Sequence, residues 1–168
     1  ERAECEYLVG NFAVADALFE QLLANAHGTL DGARAYRLRS RLYQATGRFA
    51  EAMTLVVAAL QLFDVVLPPG EAALQAACAT EMDAIRAQLA GQPGHSVAAR
   101  VAALADAPAA TDASAMMLIS LLVEGLGPAY AASPAHFSLL AAQAVSASLR
   151  HGNSVDSCTA YSSYALAL

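Results

Sequence analysis

The sequence predicts an all-α chain of helical hairpins stacked as an α-solenoid, irregular in its second half. Three observations predict this. Alanine, the strongest helix former, fills a quarter of the 168 positions, and hydrophobic residues make up 57%. Strand-favouring β-branched and aromatic residues are sparse beside it. The phrase Gly10-Asn11-Phe12-Ala13-Val14-Ala15 returns 37 residues later as Gly47-Arg48-Phe49-Ala50-Glu51-Ala52. A period in the thirties, with a long apolar stretch after each copy, is the mark of a helical repeat.

Residues 1–9 read as the end of a first helix, stopped at Gly10-Asn11. A second spans 12–26, with Val14, Leu18, Phe19 and Leu22 forming one apolar face. His27-Gly28-Thr29 breaks it, and Asp31 is placed to cap a third helix over 32–46, whose apolar positions are Tyr36, Leu38, Leu42 and Tyr43. Gly47 ends that helix. A fourth, over 49–66, is apolar nearly throughout and needs neighbours on several sides; Leu67-Pro68-Pro69-Gly70 stops it.

A fifth helix over 71–90 carries the stripe Leu74, Cys78, Met82, Ile85 and Leu89. Gly91-Gln92-Pro93-Gly94 breaks the chain, and residues 91–112 form a weakly patterned linker with a short helix through Val97, Val101 and Leu104. Asp112 or Ser114 starts the next helix, through Met116, Leu118, Leu121, Leu122 and Leu126, and Gly127-Pro128 is expected to end it. Ser133-Pro134 reads as a cap followed by proline at the first helical position. The helix it opens carries Phe137, Leu140, Ala144 and Leu149 and closes at His151-Gly152-Asn153, a C-cap signature. A last helix begins near Ser154 or Asp156. Two units result: paired repeats over 1–66 and further hairpins of the same solenoid over 67–168.

Composition narrows the function. There is no lysine; all nine cations are arginine. Within this segment that excludes a P-loop, a kinase strand lysine and Schiff-base chemistry, each of which needs a lysine amine. A net charge of −6 argues against nucleic-acid binding. Cys5, Cys78 and Cys158 are far apart, show no metal-ligand spacing and read as free thiols packed as small hydrophobes in a reducing cytoplasm. His27, His95, His136 and His151 offer no metal-binding pair, and Glu81 and Asp83 at i and i+2 face different directions. The Met116-Met117 doublet reads as core. No catalytic residue, cofactor site or metal site is expected. Residues 125–149 hold no Asp, Glu, Lys or Arg, but Pro128, Pro134 and several serines interrupt them; a buried helix is expected there and no membrane span. The start, Glu1-Arg2-Ala3-Glu4, shows no secretory signal, and both ends read as cut from a longer polypeptide.

The repeated phrase resembles the tetratricopeptide (TPR) family: Gly10 and Gly47 turn helix A into helix B, Phe12 and Phe49 follow, and Ala15 and Ala52 let the two helices touch. Phe19 and Val56 match the large position after them, Leu22 and Ala59 the small one, and Tyr36 and Tyr43 the aromatics of the second helix A. Arg39-Ser40 stands where the family has Leu-Gly, the period is longer, and the closing proline is absent. The resemblance implies that the aromatic plugs the hairpin.

The whole chain also resembles the α-helical segment of large bacterial multidomain signalling proteins that join a Ser/Thr kinase-like domain, an AAA/STAND-type ATPase, a GAF domain and a sensor histidine kinase. The residues concerned are Gly47 to Ala52, Leu67-Pro68, Pro128-Ala129-Tyr130, Ser148 to Ser154 and Ala160 to Leu166. That resemblance implies a cytoplasmic, non-catalytic scaffold, sensor or relay arm working through protein or interdomain partners. A stand-alone TPR adapter, the ligand-sensing arm of a STAND-type transcription regulator and a small helical enzyme are the alternatives.

One candidate binding feature stands out. Arg34, Arg37 and Arg41 lie at i, i+3 and i+7 on one face of the third helix. They form either a strip that receives an acidic peptide or phosphate through forked hydrogen bonds, or a solvated face balanced by Glu1, Glu4 or Glu6.

Overall fold

The computed structural model describes residues 1–90 and 104–168. The helices are α1 (Arg2–Leu8), α2 (Phe12–Ala24), α3 (Thr29–Ala45), α4 (Phe49–Gln61), α5 (Glu71–Ala90), α6 (Ala113–Glu124), α7 (Leu126–Ala132), α8 (Pro134–His151) and α9 (Ser157–Ala167). Among the described residues there is no strand, only one isolated parallel bridge between Ala109 and Asn153. The chain is all-α. The expected break at Gly91 to Gly94 and most of the short helix after it lie outside the described residues.

The two copies of the glycine phrase make the same turn, bond for bond. Gly10 has φ +89° and Gly47 has φ +76°, the left-handed region that a side chain opposes. The Gly10 amide donates to the Tyr7 carbonyl at 3.0 Å and the Asn11 amide to the Glu6 carbonyl at 2.8 Å. At the second turn Gly47 donates to Gln44 at 3.0 Å and Arg48 to Tyr43 at 2.8 Å. Both are Schellman closures, which satisfy carbonyls that a helix end leaves without partners. Each turn folds its second helix back on its first, and the equivalent small residues Ala3 and Ser40, Ala15 and Ala52 are all buried. Ser40 is the counterpart of Ala3 in the second helix pair, its Oγ 3.5 Å from the Ala52 carbonyl oxygen.

Several local expectations are corrected. Phe12 and Phe49 remain 45% and 40% exposed, so neither plugs its hairpin; Phe12 lies edge-on to the buried Tyr7 ring at 4.8 Å. The buried side of α2 is Ala15 and Phe19, while Val14 and Leu22 face outward. Helix α3 starts at Thr29, ahead of the expected start, because Gly28 at φ +115° opens it; Asp31 lies inside its first turn. Helix α4 ends at Gln61 and not at Val66. There the closure of the two hairpins recurs a third time, with Asp64 at φ +59° in the glycine position: Asp64 donates to Gln61 at 3.1 Å and Val65 to Leu60 at 3.1 Å. Aspartate tolerates this region better than most residues, which hid the stop in the sequence.

Past Val66 the packing centres on α8, which touches α5, α6, α7 and α9, while α4 touches α6 and α7. Leu139, Leu140, Ala141, Ala142, Ala144, Val145 and Ala147 are all buried. A helix apolar on every side is one surrounded by neighbours, and its alanines let those neighbours come close. Ser133 caps α8, accepting from the His136 amide at 3.2 Å, with Pro134 in the first turn. Gly152 at φ +97° ends it. A Cβ there would stand 2.5 Å from the Pro108 carbonyl oxygen, so the close approach of another segment also requires glycine.

That segment is held by Asn153. Its amide donates to the Pro108 carbonyl at 2.8 Å and its carbonyl accepts from Ala110 at 2.8 Å. Its side chain donates to the Leu104 carbonyl at 2.7 Å and accepts from the Tyr161 hydroxyl at 2.9 Å. All four polar groups of one residue thus tie residues 104–110 to the end of α8 and to α9.

Gly127-Pro128 does not end α6. The bend falls at Gly125, where a Cβ would meet Val56 at 2.8 Å and Leu140 at 2.9 Å. Pro128 lies in the first turn of α7, where a missing amide leaves no bond unmade. Ala113–Ala132 is long and apolar enough to cross a membrane by length and composition, yet half of it is buried inside the fold. The Met116-Met117 doublet divides: Met116 is exposed, whereas Met117 is half-buried and packs against the core, because α6 turns Ala115, Ile119 and Leu122 inward. Of the cysteines only Cys78 is buried; Cys5 and Cys158 are exposed.

The turn geometry gives a contrast. Gly47→Ala should lower unfolding stability by about 1 kcal/mol, the cost of a left-handed alanine, whereas Asp64→Gly should be neutral or stabilising. Urea denaturation of the two variants checks this; equal losses would contradict the shared closure.

Candidate functional site

The three arginines read from the sequence do not act as one strip. Helix α3 presents Arg37 and Arg41 to the end of α6, where both point at Glu124. Arg41 Nε lies 2.6 Å and Arg37 Nε 3.7 Å from the same Glu124 Oε2. Gln44, one turn on, donates to Glu124 Oε1 at 3.0 Å. Gln44 is itself held close by Gly127, whose missing side chain leaves room for its amide. The Glu124 side chain is only 11% exposed, so this carboxylate is enclosed against α3 and ties that helix to the end of α6. The balancing residue is therefore Glu124, not Glu1, Glu4 or Glu6.

Arg34 points elsewhere. It pairs with Asp31 at 3.1 Å within its own helix and is largely exposed. It lines a groove of about 640 Å³ formed by α1, α2 and α3. Leu18, Leu22, Ala35 and Leu38 line the groove, with Arg2, Glu1 and Asp31 beside Arg34. The outward-facing Leu22 finds its place here. The groove is apolar with mixed charge beside it, a form suited to an amphipathic segment.

In the sequence Arg39 shows only as a departure from the family pattern. In the structure it is the best-partnered side chain of α1 to α4. Its guanidinium reaches Asp16 at 3.0 Å and Glu20 at 2.6 Å, both on α2, and its Nε donates to the Tyr43 hydroxyl at 3.1 Å. Tyr43 in turn donates to Asp16 at 2.6 Å. The guanidinium also lies over the Phe19 and Tyr43 rings at 5.8 and 5.5 Å. Arg48 covers the Tyr43 ring at 3.8 Å. The i, i+4 spacing of Asp16 and Glu20, which places two carboxylates on one helix face, was the available signal.

These partners shift proton affinities. Burial pushes the Tyr43 hydroxyl up, and donation to Asp16 adds to it, against a smaller opposing effect of Arg39. Burial weakens the Arg39 cation, but its bonds to Glu20 and Tyr43 outweigh that and raise it. Burial likewise raises Tyr161 and Tyr164.

Those last two tyrosines line a second, more apolar cavity of about 500 Å³ between α5, α8 and α9, with Ile85, Leu89, Val145 and Leu149. Among the described residues its titratable side chains are Tyr161, Tyr164 and the Cys158 thiol. Glu81 and Asp83 have separate partners, Arg150 at 3.9 Å and Arg86 at 2.7 Å. Among the described residues no three His, Cys, Asp or Glu side chains gather as a metal site. No protein-family model, curated protein or solved structure matches the chain.

Arg39→Ala should cost about 2 kcal/mol, by removing its bonds to Asp16 and Tyr43 and uncovering Phe19, and a cycle with Asp16→Ala should show coupling of about 1 kcal/mol; independent effects in denaturation would contradict the network. A tyrosine whose affinity is raised by folding keeps its proton longer in the native state, so its contribution is full below about pH 10 and is lost as pH rises through the native value. Absorbance titration should therefore show Tyr43, Tyr161 and Tyr164 ionising late, with stability falling on the alkaline side and Tyr43→Phe reducing that fall.

Proposed function

We propose that this chain is a non-catalytic helical-repeat scaffold, a sensor or relay arm within a large ATP-binding signal-transduction protein of the kinase, ATPase and histidine kinase type. It works through protein or interdomain contacts. Stacked hairpins transmit a change at one repeat to the next through their shared faces. The observation that carries the reading is the pair of matching closures at Gly10 and Gly47, 37 residues apart, which supports reading residues 1–66 as two copies of one unit. The groove between α1, α2 and α3 supports it. It offers Leu18, Leu22 and Leu38 to the apolar face of a docked segment and Arg34 to an acidic group on that segment.

The test is selection of a displayed peptide library against the chain. Acidic amphipathic peptides should be enriched, and Leu22→Arg and Arg34→Glu should each weaken them by about tenfold, the effect of losing one central anchor. Enrichment with no such pattern, or binding indifferent to both substitutions, would overturn the groove reading. Turnover of a substrate by the chain would overturn the scaffold.

A further inference from the structure

We propose that Arg37, Arg41 and Gln44 form an oxyanion site that the chain's own Glu124 occupies, and that a dianionic phosphoryl group takes when Glu124 is displaced. The geometry is that of a bound ligand. One carboxylate, nearly enclosed, takes hydrogen bonds from Arg41 and Gln44 and an ion-pair contact from Arg37, three residues spaced i, i+4 and i+7 along α3.

It is an imperfect fit. Two guanidinium groups face a single negative charge, and among the described residues no other carboxylate lies within ion-pair range of Arg37 or Arg41. Glu124 Oε2 takes the Arg41 bond at 2.6 Å and Oε1 the Gln44 bond at 3.0 Å. Arg37 Nε is left at 3.7 Å, buried and without a hydrogen bond. An unmet buried donor is costly, more so on a charged group. A phosphoryl group has three acceptor oxygens and close to two charges, which match three donors and two cations where a carboxylate does not.

Displacement has a structural consequence. Glu124 is the last residue of α6, immediately before the Gly125 bend into α7, and its contacts with Arg37, Arg41 and Gln44 bind α3 to that bend. Replacing it by an external group would remove the side-chain tie between α3 and that bend, while the apolar packing of α4 on α6 and α7 remains. Arg41 is half exposed and opens the site to solvent. The inference is independent of the groove and of Arg34.

The experiment is calorimetric titration of the full chain with inorganic phosphate and, separately, with a phosphoserine peptide. Glu124→Gln keeps the shape and removes the competing charge. It should bind phosphate at least about tenfold more tightly than the parent, and adding Arg37→Ala and Arg41→Ala should abolish the gain. A phosphopeptide binding more tightly than phosphate places the group on a protein, and equal affinity points to the free ion; either supports the site. If Glu124→Gln folds poorly, phosphate should restore its melting temperature where chloride at matched ionic strength does not. A folded Glu124→Gln that binds no better than the parent, a gain indifferent to the arginines, or no rescue would overturn the proposal.

Discussion

The structure depends on a backbone constraint: a helix that reverses within two residues must put one of them at positive φ. Gly10 and Gly47 accept this without a side chain to oppose it. That reversal sets the spacing of each helix pair. The returning helix lies close enough for Ala15 and Ala52 to be wholly buried. A larger residue at either would push the hairpin apart. The small residues at Ala3 and Ser40 are buried as well. Glycine sets the path, and the small residues set the distance.

Polar contacts then fix how the two hairpins sit on one another. Tyr7 and Thr46 hydroxyls meet at 2.6 Å, joining α1 to the end of α3. Arg39 and Tyr43 hold α2 through Asp16 and Glu20. At the other end of the pair, Arg41 and Gln44 hold α6 through Glu124. Helix α3 thus alternates its loyalties: Arg39 and Tyr43 face back along the chain, Arg37, Arg41 and Gln44 face forward.

Local features were legible in the sequence. The Gly10 and Gly47 turns, the Ser133-Pro134 start, the Gly152 stop and the whole of α5 over Glu71–Ala90 come from residues that act on their immediate neighbours. Features that depend on distant partners could not be read. Glu124 is far along the chain from Arg37 and Arg41, and nothing in the local pattern pairs them. Asn153 reads as a cap residue, yet its main task is to latch residues 104–110. The stop at Asp64 is hidden because aspartate there mimics glycine, and the bend at Gly125 because the adjacent Gly127-Pro128 is the stronger local signal. The arginine face was visible; its division between Glu124 and the groove was not, since helical spacing places side chains on a face without saying what stands opposite.

The most direct test of the account is NMR measurement of couplings through the closing hydrogen bonds. The Asn11 amide should couple to the Glu6 carbonyl and the Arg48 amide to the Tyr43 carbonyl, with both Gly10 and Gly47 at positive φ. Detection of one closure without the other, or of negative φ at either glycine, would contradict the equivalence of the two hairpins on which the repeat reading stands.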